Sequence, residues 1–460
     1  MIRRLRLALA LTVFLFPARA WAHAHLKRSE PAAGSKVASS PQLIRLWFSE
    51  QPELSMTFIS LKDANGKEWP LAGLQKDPTD PLAVSVRVSQ PLPAGRYTVA
   101  WQTAASDGHP SHGTFGFILL TQAAPPTKTH AQVGVVTDTV RAGTVTPVIS
   151  SGESAEEADA ASSLSNSLAR AFSFVGLLAL IGVAAFRALV LPSARGINAE
   201  LRARMESRAA VLGLVASLVV IISALARLSL ESEMMSAMPG MQTMSMTDMA
   251  MHTHWGFALR LELGTAVVAL VAFILAARHL SGAWLVISIS ALVLAVTPAL
   301  AGHAAASPKF TSLMIVSDFL HVLGGASWLG SLLAVMVVGI PLSLMLDGVE
   351  RWSSVASLVN SFSPVALASV TVVVISGLIA SWVHLEHVSA LWQTAYGQVL
   401  LLKLALVAIT LTIGAYNFRR VQPQLVNEVG ATRLRRSAVL ELAFGFLILL
   451  VTGFLTGISP

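Results

Sequence analysis

The chain has 460 residues, of which 54% are hydrophobic and only 12% are charged, and its mean hydropathy is +0.66. This composition excludes an ordinary soluble protein, which needs more polar surface, and indicates a membrane protein. The net charge of +7 comes from basic clusters between apolar runs, as in cytoplasmic loops, and not from a nucleic-acid-binding surface. Because the chain has no cysteine, disulfides and thiolate metal sites are excluded, and soft-metal ligands must be methionine or histidine.

The first 22 residues have the pattern of a secretory signal peptide. Arginines near the N-terminus precede an apolar stretch over residues 7–16 that is too short to span a bilayer. Ala20-Trp21-Ala22 supplies a small-x-small cleavage pattern, and cleavage after it leaves His23 as the mature N-terminus. An uncleaved anchor is the alternative.

Residues 23–120 predict a β-sandwich of about 100 residues. Five segments show partial alternation of apolar and polar residues, separated by turn sequences such as Asn65-Gly66. The predicted strands are Gln42–Glu50, Ser55–Asp63, Leu82–Ser89, Gly95–Thr103 and Gly113–Leu120. Residues 121–165, rich in Ala, Thr, Ser and Pro, predict a flexible linker.

The remainder, residues 166–460, predicts an all-α polytopic membrane bundle of about eight transmembrane helices, each with the roughly 20 apolar residues that a crossing needs. The predicted spans lie near 168–190, 208–228, 255–277, 283–301, 312–340, 358–383, 396–417 and 437–457. If the sandwich is outside, the loops after odd-numbered spans are cytoplasmic, and most loop arginines lie there: Arg195, Arg202, Arg204, Arg208, Arg278, Arg351, Arg419, Arg420, Arg433, Arg435 and Arg436. The positive-inside rule therefore predicts a bacterial inner-membrane protein with its N-terminal domain in the periplasm.

The mature N-terminus and one loop of the sandwich supply the donors for a Cu(II) site. His23 offers an α-amine and an imidazole to the same ion, and the amine, with a reference pKa of about 8, can lose its proton to a divalent metal. The loop Ser106-Asp107-Gly108-His109-Pro110 adds a carboxylate from Asp107 and an imidazole from His109. Three nitrogens and one oxygen suit the tetragonal geometry of Cu(II). His25 and His112 are additional candidate ligands.

Two other interpretations of these residues stay open at this stage. The tail His23-Ala24-His25 can wrap Cu(II) with its intervening backbone amides and needs no fold to do so. Asp107-Gly108-His109 by itself is also typical of an ordinary hairpin turn.

Further motifs in this domain match a known family. They are His23-Ala24-His25-Leu26, Ser29 to Ser35, Leu46 to Glu50, Gly95 to Trp101, Ser106 to Pro110 and Gly113 to Phe117. With these motifs the domain resembles the CopC family of copper-binding proteins. The resemblance implies a cupredoxin-like (immunoglobulin-like) sandwich that binds Cu(II) through His23, Asp107 and His109. Some members hold a Met-rich Cu(I) site within this domain, but Met56 is the only methionine between residues 23 and 120, so we expect none here.

A methionine-rich segment separates the second and third predicted spans and is a candidate Cu(I) site. Thioether sulfur is soft and does not compete with protons, which suits Cu(I) in an acidic or oxidising compartment. The candidate ligands are Met234, Met235, Met238, Met241, Met244, Met246, Met249, Met251, His252 and His254. The alternative is that these methionines pack apolar surface, but a loop broken by Pro239-Gly240 is expected to be poor core material.

Polar side chains inside a bilayer are costly and mark functional sites. Asp318 and His321 are three residues apart on the fifth span and so share a helix face, where they would pass copper or a proton inward. The alternative is an interhelical hydrogen bond. His303, His384 and His387 at outer membrane edges complete the candidate transport path. Ionisable residues assigned to structural ion pairs are Lys403 with Glu441, and Arg260 and Glu262 in the third span.

The membrane region also resembles a known family. The matching segments are Asp318 to Gly330, Phe362-Ser363-Pro364, Tyr396-Gly397-Gln398, Leu402-Lys403 and Tyr416-Asn417. They resemble the CopD membrane family, which implies copper passage across the inner membrane. The whole chain therefore resembles a CopC–CopD fusion.

The predicted function is copper homeostasis: copper binding in the periplasm and transport into the cell. No Walker A loop appears, which argues against ATP-driven transport. The alternative is periplasmic buffering or delivery of copper, for resistance or cuproenzyme assembly, without transport. A haem redox protein ranks lower, since haem needs paired buried histidines. We expect no enzyme activity; the predicted partners are copper ions, the lipid bilayer and periplasmic copper chaperones, with no nucleic acid.

Overall fold

The computed structural model describes residues 25–104, 110–120, 153–236, 245–306, 310–385, 387–424 and 428–458. An N-terminal β-sandwich leads into a C-terminal helical region, which confirms the predicted fold class.

The sandwich has two sheets. Its strands are β1 (Leu26–Glu30), β2 (Lys36–Val37), β3 (Leu43–Phe48), β4 (Phe58–Asp63), β5 (Glu68–Trp69), β6 (Leu71–Lys76), β7 (Ala83–Val88), β8 (Gly95–Ala104) and β9 (Pro110–Leu119). One sheet has the order β1-β3-β7-β6 and the other β2-β9-β8-β4-β5. Alternation decides which side chains face the core: in β3, Ile44, Leu46 and Phe48 are buried while their neighbours are half-buried.

The five predicted strands correspond to β3, β4, β7, β8 and β9, and the four strands that were missed, β1, β2, β5 and β6, are all edge strands. Edge strands are short and polar, which limits pairing with other chains, so their sequences alternate weakly. The predicted second strand also begins too early, because Leu54–Met56 forms a 3₁₀ turn before β4.

Eight helices among the described residues are long and apolar enough to cross a membrane, as predicted. They are α1 (Leu164–Ser193), α2 (Ala199–Ser236), α3 (His254–Ala277), α4 (Ala283–Ala301), α5 (Thr311–Ser343), α6 (Gly348–Val383), α7 (Ala395–Gln424) and α8 (Thr432–Leu455). Short helices cover Met246–His252, His303–Ala306 and Ala390–Gln393.

Several helices are longer than their apolar runs. The hydropathy pattern predicts that the second helix begins at 208 and the sixth at 358, whereas they begin at Ala199 and Gly348. Hydropathy reports the part of a helix that lies in the bilayer and not the end of the helix. The helix containing α1 begins at Glu153, inside the stretch that composition predicts as a linker. Its first turns are rich in Ala and Glu, good helix formers, and acidic residues are favourable at a helix N-terminus.

Helix α1 packs against α2, α5 and α8. Its closest crossing is at Gly182, where an added Cβ would lie 2.2 Å from the carbonyl carbon of Gly330 on α5. Only small residues allow backbones to approach so closely. At this crossing α5 contains a π-helical turn, Ala326–Gly330, and a second one follows at Val335–Gly339. Such turns rotate the side chains that follow them and occur often at functional sites.

Candidate copper sites

The predicted Cu(II) loop connects β8 and β9 in the sequence. Ala104, the last residue of β8, pairs with Pro110, the first of β9, so these two paired residues mark where the chain enters and leaves residues 105–109. His23, Asp107 and His109 lie outside the described residues. His112 is exposed on β9 opposite Gln102, and so the chain places it just beyond this loop.

The other predicted extra ligand of the sandwich, His25, comes directly before β1. Its side chain is exposed, and its backbone N–H donates to Ser49 Oγ at 2.9 Å. The first described residue of the sandwich is therefore anchored to the segment that follows β3.

The end of β8 is connected to the membrane region through Glu53. The Glu53 backbone N–H donates to the carbonyl of Ala104 at 2.8 Å. The Glu53 side chain reaches the first residue of α3: its Oε2 lies 3.5 Å from the backbone nitrogen of His254 and 3.9 Å from His254 Nε2. The end of the sandwich that bears the copper loop is therefore seated at the start of α3.

Three methionines from separate segments meet in one apolar cluster at this contact. Met56 comes from the sandwich, Met235 from the end of α2 and Met249 from the short helix Met246–His252, and each is only 1% exposed. Trp255 and Leu259 of α3 pack in the same cluster. We call Met56, Met235 and Met249 the methionine junction.

Two sequence expectations change at the junction. Met56 was not a candidate ligand, because a contact between two domains leaves no local signal in the sequence. The methionine-rich segment was expected to be poor core material, yet Met235 and Met249 are fully buried. They reach the core because the segment is partly helical and the sandwich covers it.

The other predicted residues of the segment are spread around the junction. Met246 and Met251 are 44% and 55% exposed, and the side chains of His252 and His254 are 69% and 72% exposed. Met234 Sδ lies 3.5 Å from the donating Nδ2 of Asn166. The candidates Met238, Met241 and Met244 lie outside the described residues. The structure thus brings together two of the predicted methionines and adds one.

The short helix beneath the sandwich is held by a capping box. The Ser245 hydroxyl accepts from the Asp248 backbone N–H at 3.1 Å, and the Asp248 carboxylate accepts from the Ser245 N–H at 3.2 Å. The Ser245 hydroxyl also donates to the Asp248 carboxylate at 2.7 Å. This hydrogen bond and the one from the Ser245 N–H hold the pKa of Asp248 below its ordinary value. The cap thereby orders the helix that carries Met249.

Asp318 and His321 belong to a polar cluster that joins three helices. His321 Nδ1 lies 3.0 Å from Ser376 Oγ on α6, and the Ser317 hydroxyl donates to the Ser376 carbonyl at 3.1 Å. Gly377 leaves room for the ring, since an added Cβ would be 3.5 Å from His321 Cε1. With Nδ1 engaged, Nε2 is the nitrogen that can take a metal ion or a proton.

Helix α7 completes this cluster. Asp318 interacts electrostatically with Lys403 and Tyr396 of α7, and Lys403 also acts on His321. All four side chains are half-buried. We call Asp318, His321, Tyr396 and Lys403 the outer cluster, since they lie in the half of the helices nearer to the sandwich.

The remaining predicted histidines do not join the outer cluster. The side chains of His303 and His384 lie outside the described residues, and His387 is exposed in the turn after α6. Within the described part of the chain, no three His, Asp or Glu side chains converge as a metal site would require.

One predicted ion pair is wrong. Glu441 does not pair with Lys403; its Oε1 accepts from Trp328 Nε1 and its Oε2 from Asn417 Nδ2, both at 3.0 Å. Lys403 lies nearer the outer end of α7, whereas Asn417 marks its inner part, so the two charges are at different depths.

Glu262 does form an ion pair, but its partner is on another helix. It pairs with Arg227 of α2 and accepts from the Ser173 hydroxyl of α1 at 2.7 Å. Arg260, two residues away and on a different face of α3, instead donates to the carbonyl of Ala250.

Comparison with known proteins matches three consecutive parts of the chain to family models. The CopC domain matches residues 26–119, the N-terminal domain of copper resistance protein D-like proteins matches 161–309, and copper resistance protein D matches 356–455. The chain is a CopC–CopD fusion.

Three relatives extend this assignment. Copper transport protein CutJ of Bacillus subtilis (strain 168) is 24% identical over 98% of this chain and 77% of its own length. Protein YobA of Escherichia coli (strain K12) is 34% identical over 25% of this chain and 94% of its own. Copper resistance protein D of Pseudomonas syringae pv. tomato is 29% identical over 62% of this chain and 94% of its own. The fusion is a multi-pass membrane protein of copper homeostasis, and the matched families are copper-resistance and copper-transport families, not enzyme families.

Proposed function

We propose that the fusion imports copper across the bacterial inner membrane, with the sandwich in the periplasm as the capture domain. The single observation that carries the proposal is the seating of the copper-loop end of the sandwich on the methionine junction. Ala104 directly precedes loop 105–109 and packs in the same cluster as Met56 and Met249. A metal ion released from that loop would therefore meet thioethers first.

Capture takes place at the N/O site of the sandwich, with His23, Asp107 and His109 as ligands of Cu(II). Imidazole and amine nitrogens with one carboxylate suit that ion. His112, which follows the loop on β9, and His25, two residues after His23 in the sequence, are further candidate donors.

The second step is transfer at the methionine junction. Thioethers select Cu(I) over Cu(II), so the junction accepts copper in its Cu(I) state. The buried thioethers of Met56, Met235 and Met249 then hold Cu(I). Because Met56 belongs to the sandwich, the junction links capture to the membrane region.

The third step is entry into the membrane at the outer cluster. Asp318 supplies the negative charge that a cation needs in a low-dielectric region, and His321 Nε2 supplies a ligand. Lys403, which interacts with Asp318, neutralises that carboxylate while copper is absent. Cu(I) bound at Asp318 would take the place of the Lys403 ammonium, and the cluster stays neutral when Lys403 gives up its proton.

Copper uptake into sealed liposomes tests this proposal. The purified fusion, reconstituted with ascorbate-reduced Cu(I) outside, is expected to load a copper-sensing dye inside, and Asp318→Asn and His321→Ala should reduce the rate at least tenfold. Asp347→Asn is the matched control, because that carboxylate is fully exposed at the inner end of α6. Intact copper binding with no uptake by the wild-type protein would transfer the assignment to periplasmic buffering or delivery.

A further inference from the structure

A second polar site lies inward of the outer cluster, at a cavity between α5, α6, α7 and α8. The cavity has a volume of about 490 Å³. Most of its wall is apolar, with side chains such as Val335, Phe362 and Leu411. Glu441 lines the cavity together with its hydrogen-bond partners Trp328 and Asn417. None of these groups belongs to the copper route described above.

Glu441 is held in a defined orientation although it is only 3% exposed. Each of its oxygens accepts one hydrogen bond, from the indole of Trp328 and from the amide of Asn417. Gly414 makes room for the carboxylate, since an added Cβ there would be 3.4 Å from Oε1. Asn417 Oδ1 is also buried, and no donor among the described residues reaches it.

No lysine or arginine of the described residues forms an ion pair with Glu441. The other charged and titratable side chains on these four helices are Asp318, His321, Tyr396 and Lys403 of the outer cluster and, toward the inner ends, Glu350, Arg351, Tyr416, Arg419, Arg420, Arg433, Arg435 and Arg436. Of these, only Arg419 lines the cavity. A buried carboxylate without a counter-ion is costly, and it is stabilised by binding a proton or a cation. Two neutral donors orient it but do not cancel its charge.

The cavity and the outer cluster follow each other along α5. Trp328 is seven residues beyond His321, which corresponds to about 10 Å by helical rise. Trp328 lies in the π-helical turn Ala326–Gly330, which directs its indole to Glu441. On the inner side the wall includes Arg419 and Gln422, close to the inner end of α7. The carboxyl therefore lies between the outer cluster and the cytoplasmic end of the bundle.

We propose that Glu441 is a proton-binding group that faces this cavity and exchanges its proton for the passing copper ion. With no copper present, the carboxyl carries a proton. When Cu(I) arrives from the outer cluster, the O–H bond breaks, the proton leaves through the cavity to cytoplasmic water, and the carboxylate balances the charge of the ion. After copper leaves, the carboxylate takes up a proton from cytoplasmic water through the same cavity. The copper step rests on the proposed function, whereas the proton on Glu441 does not.

Infrared spectroscopy tests the proton directly and without transport. The reconstituted wild-type protein at neutral pH is expected to show the carbonyl stretch of a protonated carboxylic acid, which Glu441→Gln should remove. The matched control is Glu350→Gln, since Glu350 is exposed at the start of α6 and its substitution should leave the band unchanged. A wild-type spectrum without the band, or a band that persists in Glu441→Gln, would overturn the proposal.

Copper flux at varied internal pH tests the exchange. Because protons and copper compete, wild-type flux should rise with internal pH, by at most about tenfold per pH unit for one proton, and then level off. Glu441→Gln should lose this dependence and carry at least tenfold less copper. Trp328→Phe removes a donor that stabilises the carboxylate, so its flux midpoint should move to higher pH.

The outcomes separate the two proposals. Wild-type flux with the same pH profile in Glu441→Gln would overturn the proton exchange while leaving copper import intact. If the wild-type protein carries no copper, import fails, and the infrared band alone decides whether Glu441 binds a proton.

Discussion

Replacement of the junction methionines by leucine separates metal binding from packing. Leucine nearly conserves the volume of methionine, and such substitutions in a core typically cost less than about 1.5 kcal/mol of folding free energy. Met56→Leu therefore keeps the apolar contact between sandwich and helices, although the side chain is only 1% exposed. It removes one of three thioethers, and we expect Cu(I) affinity to fall about tenfold or more, equivalent to about 1.4 kcal/mol.

The assay is competition of the full-length protein with a chromophoric Cu(I) chelator, together with thermal unfolding to verify the fold. Met235→Leu and Met249→Leu should weaken binding as Met56→Leu does. Met251→Leu is the matched control, because Met251 is 55% exposed and outside the cluster, and its affinity should change less than twofold. If Met56→Leu and Met251→Leu have the same affinity, Met56 only packs the interface and is not a copper ligand.

Three further predictions follow from the hydrogen bonds and charges. One residue inserted between Ala22 and His23 should lower Cu(II) affinity at least tenfold in a competition titration, because the amine chelate is lost; unchanged affinity would exclude that chelate. Glu262→Gln leaves the Arg227 side chain, which is only 14% exposed, without its charge partner. Loss of one partner of a buried pair costs about 3–5 kcal/mol of folding free energy, and we expect a lower unfolding temperature. Glu200→Gln, in an exposed pair, should leave the unfolding temperature nearly unchanged. Ser245→Ala removes the cap of the helix Met246–His252 and should speed hydrogen exchange of its amides about fivefold. In the wild type the pKa of Asp248 is lowered, so the cap contributes its full stability above the ordinary aspartate pKa. This stability is lost as the pH falls through the lowered pKa. Protection of these amides, measured relative to unstructured amides at the same pH, that stays constant at acidic pH would contradict this.

Much of the fold follows from the sequence, because hydropathy and alternation report burial directly. The eight spans and the five central strands have clear patterns, whereas the edge strands β1, β2, β5 and β6 contact one neighbour only and alternate weakly. The helix ends differ because the first turns of α2 and α6 are charged and extend beyond the apolar runs.

The candidate sites were harder to predict where partners come from distant segments. Asp318 and His321 share one helix face and could be paired from their spacing, but the contributions of Ser376 and Lys403 depend on how α6 and α7 pack. The sequence predicts that Glu441 pairs with Lys403, because both are charged residues within predicted spans. It does not give the depth of each residue in the membrane precisely enough to show that they are too far apart. Met56 carries no local signal, since its role depends on the seating of one domain on another.

Anomalous diffraction at the copper edge, from crystals of the whole chain grown with Cu(I) under reducing conditions, tests most directly whether copper sites lead from the sandwich into the membrane. Peaks are expected among Met56, Met235 and Met249 and beside Asp318 and His321, and a further peak is expected between β8 and β9 when Cu(II) is supplied. Copper confined to the site between β8 and β9 under both conditions, with no peak at the methionine junction or the outer cluster, would contradict this route.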